Sequence, residues 1–177
     1  MDFPDALQAV LERRARITRE DWSPPGMWAA AHVPPGFPVP PEYVSEPLLY
    51  LRTATGLSAY TPGHGDVFSD RWAALRQDPG AAGPPPGTGL PEALRAVLAG
   101  ARAACASWDA PGRYIAAQYP DAHSKMTRPY LYQGDADGSM APWTITAHDV
   151  FSRAWQVLPA PRAGGGGQNP APGAALG

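Results

Sequence analysis

A stretch of about 70 residues occurs twice in this chain, so its fold has to be one that half the length can complete. The segment Phe3-Pro4-Asp5-Ala6-Leu7-Gln8-Ala9-Val10-Leu11 returns as Leu90-Pro91-Glu92-Ala93-Leu94-Arg95-Ala96-Val97-Leu98. Trp22, Pro25-Gly26, Ala30, Ala31 and Pro34 return as Trp108, Pro111-Gly112, Ala116, Ala117 and Pro120. Pro47, Leu49, Tyr50, Ala54 and Gly56 match Pro129, Leu131, Tyr132, Ala136 and Gly138. Asp66-Val67-Phe68-Ser69 with Trp72 and Leu75 match Asp149-Val150-Phe151-Ser152 with Trp155 and Leu158. Roughly two dozen identities in order, with rare Trp at two of these positions, exceed what composition bias produces and read as a tandem duplication.

Composition locates where the copies end. The 177 residues include 23 Pro and 19 Gly, and much of this falls into two short tracts. One, Asp78 to Thr88 with its Pro84-Pro85-Pro86 run, reads as an exposed linker. The other, Pro161 to Gly177 with Gly164-Gly165-Gly166-Gly167, reads as a disordered tail. The expected organisation is a first module over 1–77, a linker over 78–88, a second module over 89–160 and a tail over 161–177. A chain that is 44% hydrophobic and 10% aromatic has enough apolar surface to bury a core in each copy.

Each copy opens on an amphipathic helix: Phe3, Ala6, Leu7, Val10 and Leu11 fall at i, i+3, i+4, i+7 and i+8, as do Leu90, Ala93, Leu94, Val97 and Leu98. Pro4 and Pro91 sit in the first turn, where a missing N–H costs nothing. Strand-like runs follow at Met27 to Val33, Leu48 to Thr53 and Trp72 to Leu75, with counterparts at Arg113 to Tyr119, Tyr130 to Gly134 and Trp155 to Leu158. Thr55-Gly56 and Asp137-Gly138 occupy equivalent hairpin-turn positions. Short helical turns are expected over Gly65 to Arg71 and Ala147 to Ala154. The fold class is therefore α+β, with two tandem copies of a small module in which an N-terminal helix packs on a small antiparallel sheet.

Charge and single residues exclude several functions. Fourteen basic against 16 acidic residues give a net charge of −2, with no long-range field to hold DNA or RNA. The lone Cys105 excludes an internal disulfide and a cysteine metal cluster. No segment approaches the roughly 20 apolar residues of a membrane span, so the expected location is the cytoplasm. His32, His64, His123 and His148 do not pair at ligand spacing, so no metal site is expected. Asp135-Ala136-Asp137-Gly138 opens like a calcium loop but lacks the carboxylate at the twelfth position, and reads as a turn. No serine is flanked by nucleophile-elbow glycines, and Gly83 to Gly89 lacks the Lys-Ser/Thr end of a phosphate loop. No catalytic residue and no cofactor are expected.

What repeats instead is aromatic. Trp22 and Trp108 each lead into a Pro-Gly turn, Tyr60 and Trp143 follow the hairpin turn, and Trp72 and Trp155 open the last strand. Trp72 and Trp155, among apolar neighbours, read as core anchors. Trp22, beside Arg19 and Asp21, and Trp108, beside Ser107 and Asp109, fit burial and a rim position that stacks on a base equally well.

The residues Met1-Asp2-Phe3-x-x-Ala6-Leu7, Arg19-x-x-Trp22, Tyr50-Leu51-x-Thr53-Ala54-x-Gly56, Pro142-Trp143 and Asp149 with Trp155 together resemble the family of the second Thoeris anti-defence protein. The resemblance covers both copies. It implies a non-catalytic sponge that binds a cyclic ADP-ribose isomer, or a cyclic dinucleotide, and withholds it from an immune effector. It also implies oligomers with ligand sites between subunits, so the two modules are expected to pair as a pseudo-dimer and whole chains as a homodimer. The ligand residues it implies are Arg19, Trp22, Tyr60 and Asp66 in copy one, with Trp108, Trp143 and Asp149 in copy two. Cys105 stands where copy one has Arg19, and Tyr60 where copy two has Trp143, so the two sites are expected to be unequal. The alternatives are a binding or assembly module of the same fold, with the Pro34 to Pro41 loop as its contact, and a small hydrolase acting on such nucleotides.

Overall fold

The computed structural model describes residues 1–32, 46–76, 88–122, 124 and 126–159. Within the first copy the order is α1 (Phe3–Arg13), β1 (Arg16–Arg19), β2 (Trp28–His32), β3 (Leu48–Thr53), β4 (Gly56–Ala59), α2 (His64–Val67) and β5 (Trp72–Arg76). The second repeats it with α3 (Leu90–Leu98), β6 (Arg102–Cys105), β7 (Tyr114–Gln118), β8 (Tyr130–Gly134), β9 (Met140–Pro142), α4 (Ala147–Phe151) and β10 (Trp155–Leu158). The strands form two five-stranded antiparallel sheets, ordered β4-β3-β2-β1-β5 and β9-β8-β7-β6-β10. These are the same topology built twice. The chain divides into two compact units, the first taking in Thr146–Phe151 along with α1 to β5, the second holding the other elements from α3 to β10.

Helix starts follow from local chemistry. Asp2 caps α1 by accepting the Asp5 N–H at 2.9 Å, which satisfies one of the N–H groups that a first turn leaves without a partner. Glu92 does this for α3 in another way, reaching back to accept the Gly89 N–H at 3.0 Å. Each helix then docks on the edge strand that closes its sheet: Trp72 N donates to Met1 O, and Trp155 N to Thr88 O, both at 3.2 Å.

The core lies between helix and sheet. Phe3, Leu7 and Val10 of α1 meet Ile17, Ala29, Leu49 and Trp72, all nearly or wholly buried. In the second unit Leu90, Leu94 and Val97 meet Ala103, Ile115, Leu131 and Trp155. Because strand side chains alternate, the residues between these positions, Arg16 and Trp28 among them, belong to the face without a helix.

Two strands per copy, β1 and β4 in the first and β6 and β9 in the second, were not among the expected runs. β1 and β6 read Arg16-Ile17-Thr18-Arg19 and Arg102-Ala103-Ala104-Cys105, each only four residues long. Neither carries an apolar run, and ladder bonds from both neighbours make them central strands. In copy one the hairpin loop is Ala54-Thr55, one residue earlier than expected, because Gly56 already pairs with Thr53. Strand β2 ends at His32, and Val33, the Pro34 to Pro41 loop, His123, almost all of the linker and the tail lie outside the described residues.

Candidate functional site

Where β1 meets β5 in the first unit, the main chain brings four of the expected site residues together. Trp22 stands edge-on to Trp72, with ring centroids 5.2 Å apart and planes at 80°, and edge-on to Tyr60 at 5.9 Å and 84°. Phe3 lies 5.4 Å behind Trp72. Trp72 is the anchor, buried to 3% exposure, with its indole N–H donating to Asp66 O at 3.0 Å. Trp22 is half-buried. The two readings of Trp22 are therefore compatible: one side packs on the core, and the other reaches the surface.

Arg19 closes the polar side of this cluster. Its Nε and Nη2 form a fork on Asp21 at 2.9 and 2.6 Å, while Nη1 donates to Asp66 at 2.6 Å and to Gly65 O at 3.2 Å. Partial burial works against the cation, but the hydrogen bonds to Asp21 and Asp66 outweigh it and raise the Arg19 pKa. The Asp66 carboxylate also accepts the Gly63 N–H at 2.8 Å, so it caps α2 while holding Arg19. Tyr60 places its hydroxyl in the same corner, buried and without a hydrogen-bond partner among the described residues. Burial, and then the negative charge of Asp66, push the phenol pKa far above its ordinary value of 10.0. The Asp66 carboxylate is the acceptor this hydroxyl approaches, without completing a hydrogen bond of good geometry to it.

The second unit repeats the rings and replaces the ions. Trp108 is edge-on to Trp155 at 5.2 Å and 79°, and Trp143 joins both at 6.5 and 6.0 Å. Trp143 and Trp155 are buried, Trp108 half-buried. In place of Arg19 stands the buried Cys105, whose Sγ lies 2.9 Å from Ser107 Oγ and 3.1 Å from Ser152 Oγ. Arg19 and Asp21 are thus exchanged together for Cys105 and Ser107, leaving a thiol and hydroxyls where copy one has an ion pair. In the second copy's short helix α4, the buried Asp149 accepts from Thr146 N at 3.0 Å and from Thr146 Oγ1 at 2.8 Å, which caps the helix.

A second aromatic set, on the helix-free face of each sheet, escaped the sequence reading. The Arg16 guanidinium carbon lies 4.4 Å over the Trp28 ring, and Trp28 is edge-on to Tyr50 at 5.8 Å. Arg102 lies 4.2 Å over Tyr114, with Tyr114–Tyr132 at 6.3 Å and Tyr130–Tyr132 at 6.4 Å. Tyr114 crosses directly over its ladder partner Gly134, where a Cβ would come within 2.5 Å of the phenol. The signal was available: Arg16 and Arg102 occupy matching places just after the first helix of each copy. Among the described residues no group of three or more His, Cys, Asp or Glu could hold a metal ion, and no helix is long and apolar enough to cross a membrane.

The sequence pattern of one known family, the Thoeris anti-defense 2-like domain, matches residues 1–75 and again residues 89–158. The chain belongs to this family. No curated protein matches it. The Thoeris anti-defense 2-like domain is thus present twice, and each match ends with the strand that carries the anchoring tryptophan, β5 in one copy and β10 in the other. In this family's terms the chain is an anti-defense protein made of two domains with corresponding three-ring clusters, Tyr60 in one standing for Trp143 in the other, and different polar groups.

Proposed function

We propose that the chain binds a cyclic nucleotide immune signal, a cyclic ADP-ribose isomer or a cyclic dinucleotide, and sequesters it without chemical change. The observation that supports this most directly is the three-ring cluster present in both Thoeris anti-defense 2-like domains, with Trp22 or Trp108 half-buried at its surface. A part-exposed indole held rigid by a second indole offers a base a preorganised stacking surface. The unpartnered Tyr60 hydroxyl offers a hydrogen bond that a ligand's polar edge can complete. Sequestration needs no more than this, because the gain comes from removing free ligand by mass action. Pairing of the chain with a second copy belongs to the same reading and is read from its mass in solution.

The test incubates the purified chain with a panel of cyclic nucleotides, removes free ligand, and heat-denatures the protein. Intact ligand in the supernatant is the expected result. Altered ligand would make the protein an enzyme, and absence of any retained ligand would make it a module for another partner.

A further inference from the structure

The charges on the two sheets are all of one sign. Across the ten strands there is no Asp or Glu, while Arg16, Arg19, Arg52, Arg76 and Arg102 all lie in strands. Arg19 is on the helix side and spends its donors on Asp21, Asp66 and Gly65. Arg16, Arg52 and Arg102 have no acidic partner among the described residues. All three point to the helix-free face. Arg52 is directly opposite Trp28 in the β2–β3 ladder, and Arg16 stacks on the same indole, so two uncompensated guanidinium groups flank one ring. Both arginines are exposed. In the second unit Arg102 stacks on Tyr114, beside the phenols of Tyr130 and Tyr132.

We propose that the helix-free face of each sheet is an oxyanion site for a phosphate-bearing small molecule, with Arg16 and Arg52 as its donors in the first unit and Arg102 in the second. A guanidinium held over a ring face by cation–π attraction still has N–H groups to donate, which suits charge-assisted hydrogen bonding to a phosphate. Stacking also removes in advance the side-chain freedom that an isolated surface arginine would lose on binding. The duplication supports the assignment independently: Arg16 with Trp28 in copy one corresponds to Arg102 with Tyr114 in copy two, although the ion cluster at Arg19 did not survive in both. The two cations in unit one favour a diphosphate, and the single cation in unit two a single phosphate group.

Calorimetric titration of the full chain with inorganic pyrophosphate and with orthophosphate at low ionic strength tests this. Pyrophosphate binding is expected, weakening as salt is added. The pair R16Q and R52Q should weaken it at least about tenfold, the loss of one charge-assisted hydrogen bond, and adding R102Q should abolish the remaining anion binding. R71Q, an exposed arginine outside the face, should leave it unchanged. If the triple variant fails to fold, R52Q alone decides, since Arg52 is exposed and makes no hydrogen bond or ion pair among the described residues. Undetectable pyrophosphate binding, or binding that the triple variant or R52Q leaves intact, would overturn the proposal. The sponge reading stands or falls separately, because W22A with W108A should lose cyclic-nucleotide retention and keep pyrophosphate binding.

Discussion

Burial separates tryptophans that look equivalent as letters. Trp72→Ala removes a side chain that is 3% exposed and contacts Phe3 and Trp22, so it should cost about 3–5 kcal/mol of stability. Trp22→Ala removes two edge-on ring contacts from a half-buried residue and should cost about 1–3 kcal/mol; urea denaturation of both variants checks the order. Tyr60→Phe deletes the buried, unpartnered hydroxyl, so it should leave stability unchanged or raise it. If the hydroxyl serves the ligand, the same variant loses retention while its melting temperature holds. Asp21 carries the pH prediction. The hydrogen bond from Arg19 holds its carboxyl below the ordinary 3.8, so its stabilising contribution is complete above that value and is lost as pH falls through the lower folded value. Asp21→Asn should therefore flatten the dependence of stability on pH below about 4.

Among the elements, the helices, β3, β8 and β10 were legible because each carries its own signal: a 3.6-residue apolar period or an apolar run bounded by turn residues. Strands β1 and β6 were not, since four residues, with Ile17 alone apolar in one and only the small Ala103, Ala104 and Cys105 in the other, carry no period, and only their neighbours on both sides make them strands. The Pro-Gly turns show how much the surroundings decide. Gly26 and Gly112 both have positive φ, at 85° and 81°, which glycine alone adopts without strain. A Cβ on Gly26 meets nothing within 4 Å, whereas one on Gly112 comes within 2.9 Å of Ala136 Cβ. Gly112→Ala should be the more destabilising of the pair in thermal melts, although the motif is the same in both copies.

Over the whole molecule, the duplication sets the binding prediction. Two domains with the same ring cluster should give the chain two ligand places of unequal affinity, because Arg19 and Asp21 in one are Cys105 and Ser107 in the other. Trp22→Ala and Trp108→Ala should each remove one of the two classes of site in a retention titration, and the double variant both. Equal losses of affinity at a single class of site would show that the rings do not form separate sites.

Two modules, the amphipathic helix on an antiparallel sheet that opens each, and the family they belong to are all readable along the chain. Those properties are carried by periodicity, by turn residues and by order along the chain, all of which are local or repeat. The sequence also named Trp22, Tyr60, Asp66 and Arg19 as one group, although not the work each does there. Only the folded sheet shows that Arg19 is engaged by Asp21, Asp66 and Gly65 while Arg16, Arg52 and Arg102 have no acidic partner among the described residues. It alone put Trp28 between two arginines and left the Tyr60 hydroxyl without a partner. Whether a charge is spent or available depends on which side of a strand it leaves and what the neighbouring strand holds opposite it. That pairing is fixed by sheet register between distant segments, and no local pattern in the chain encodes it.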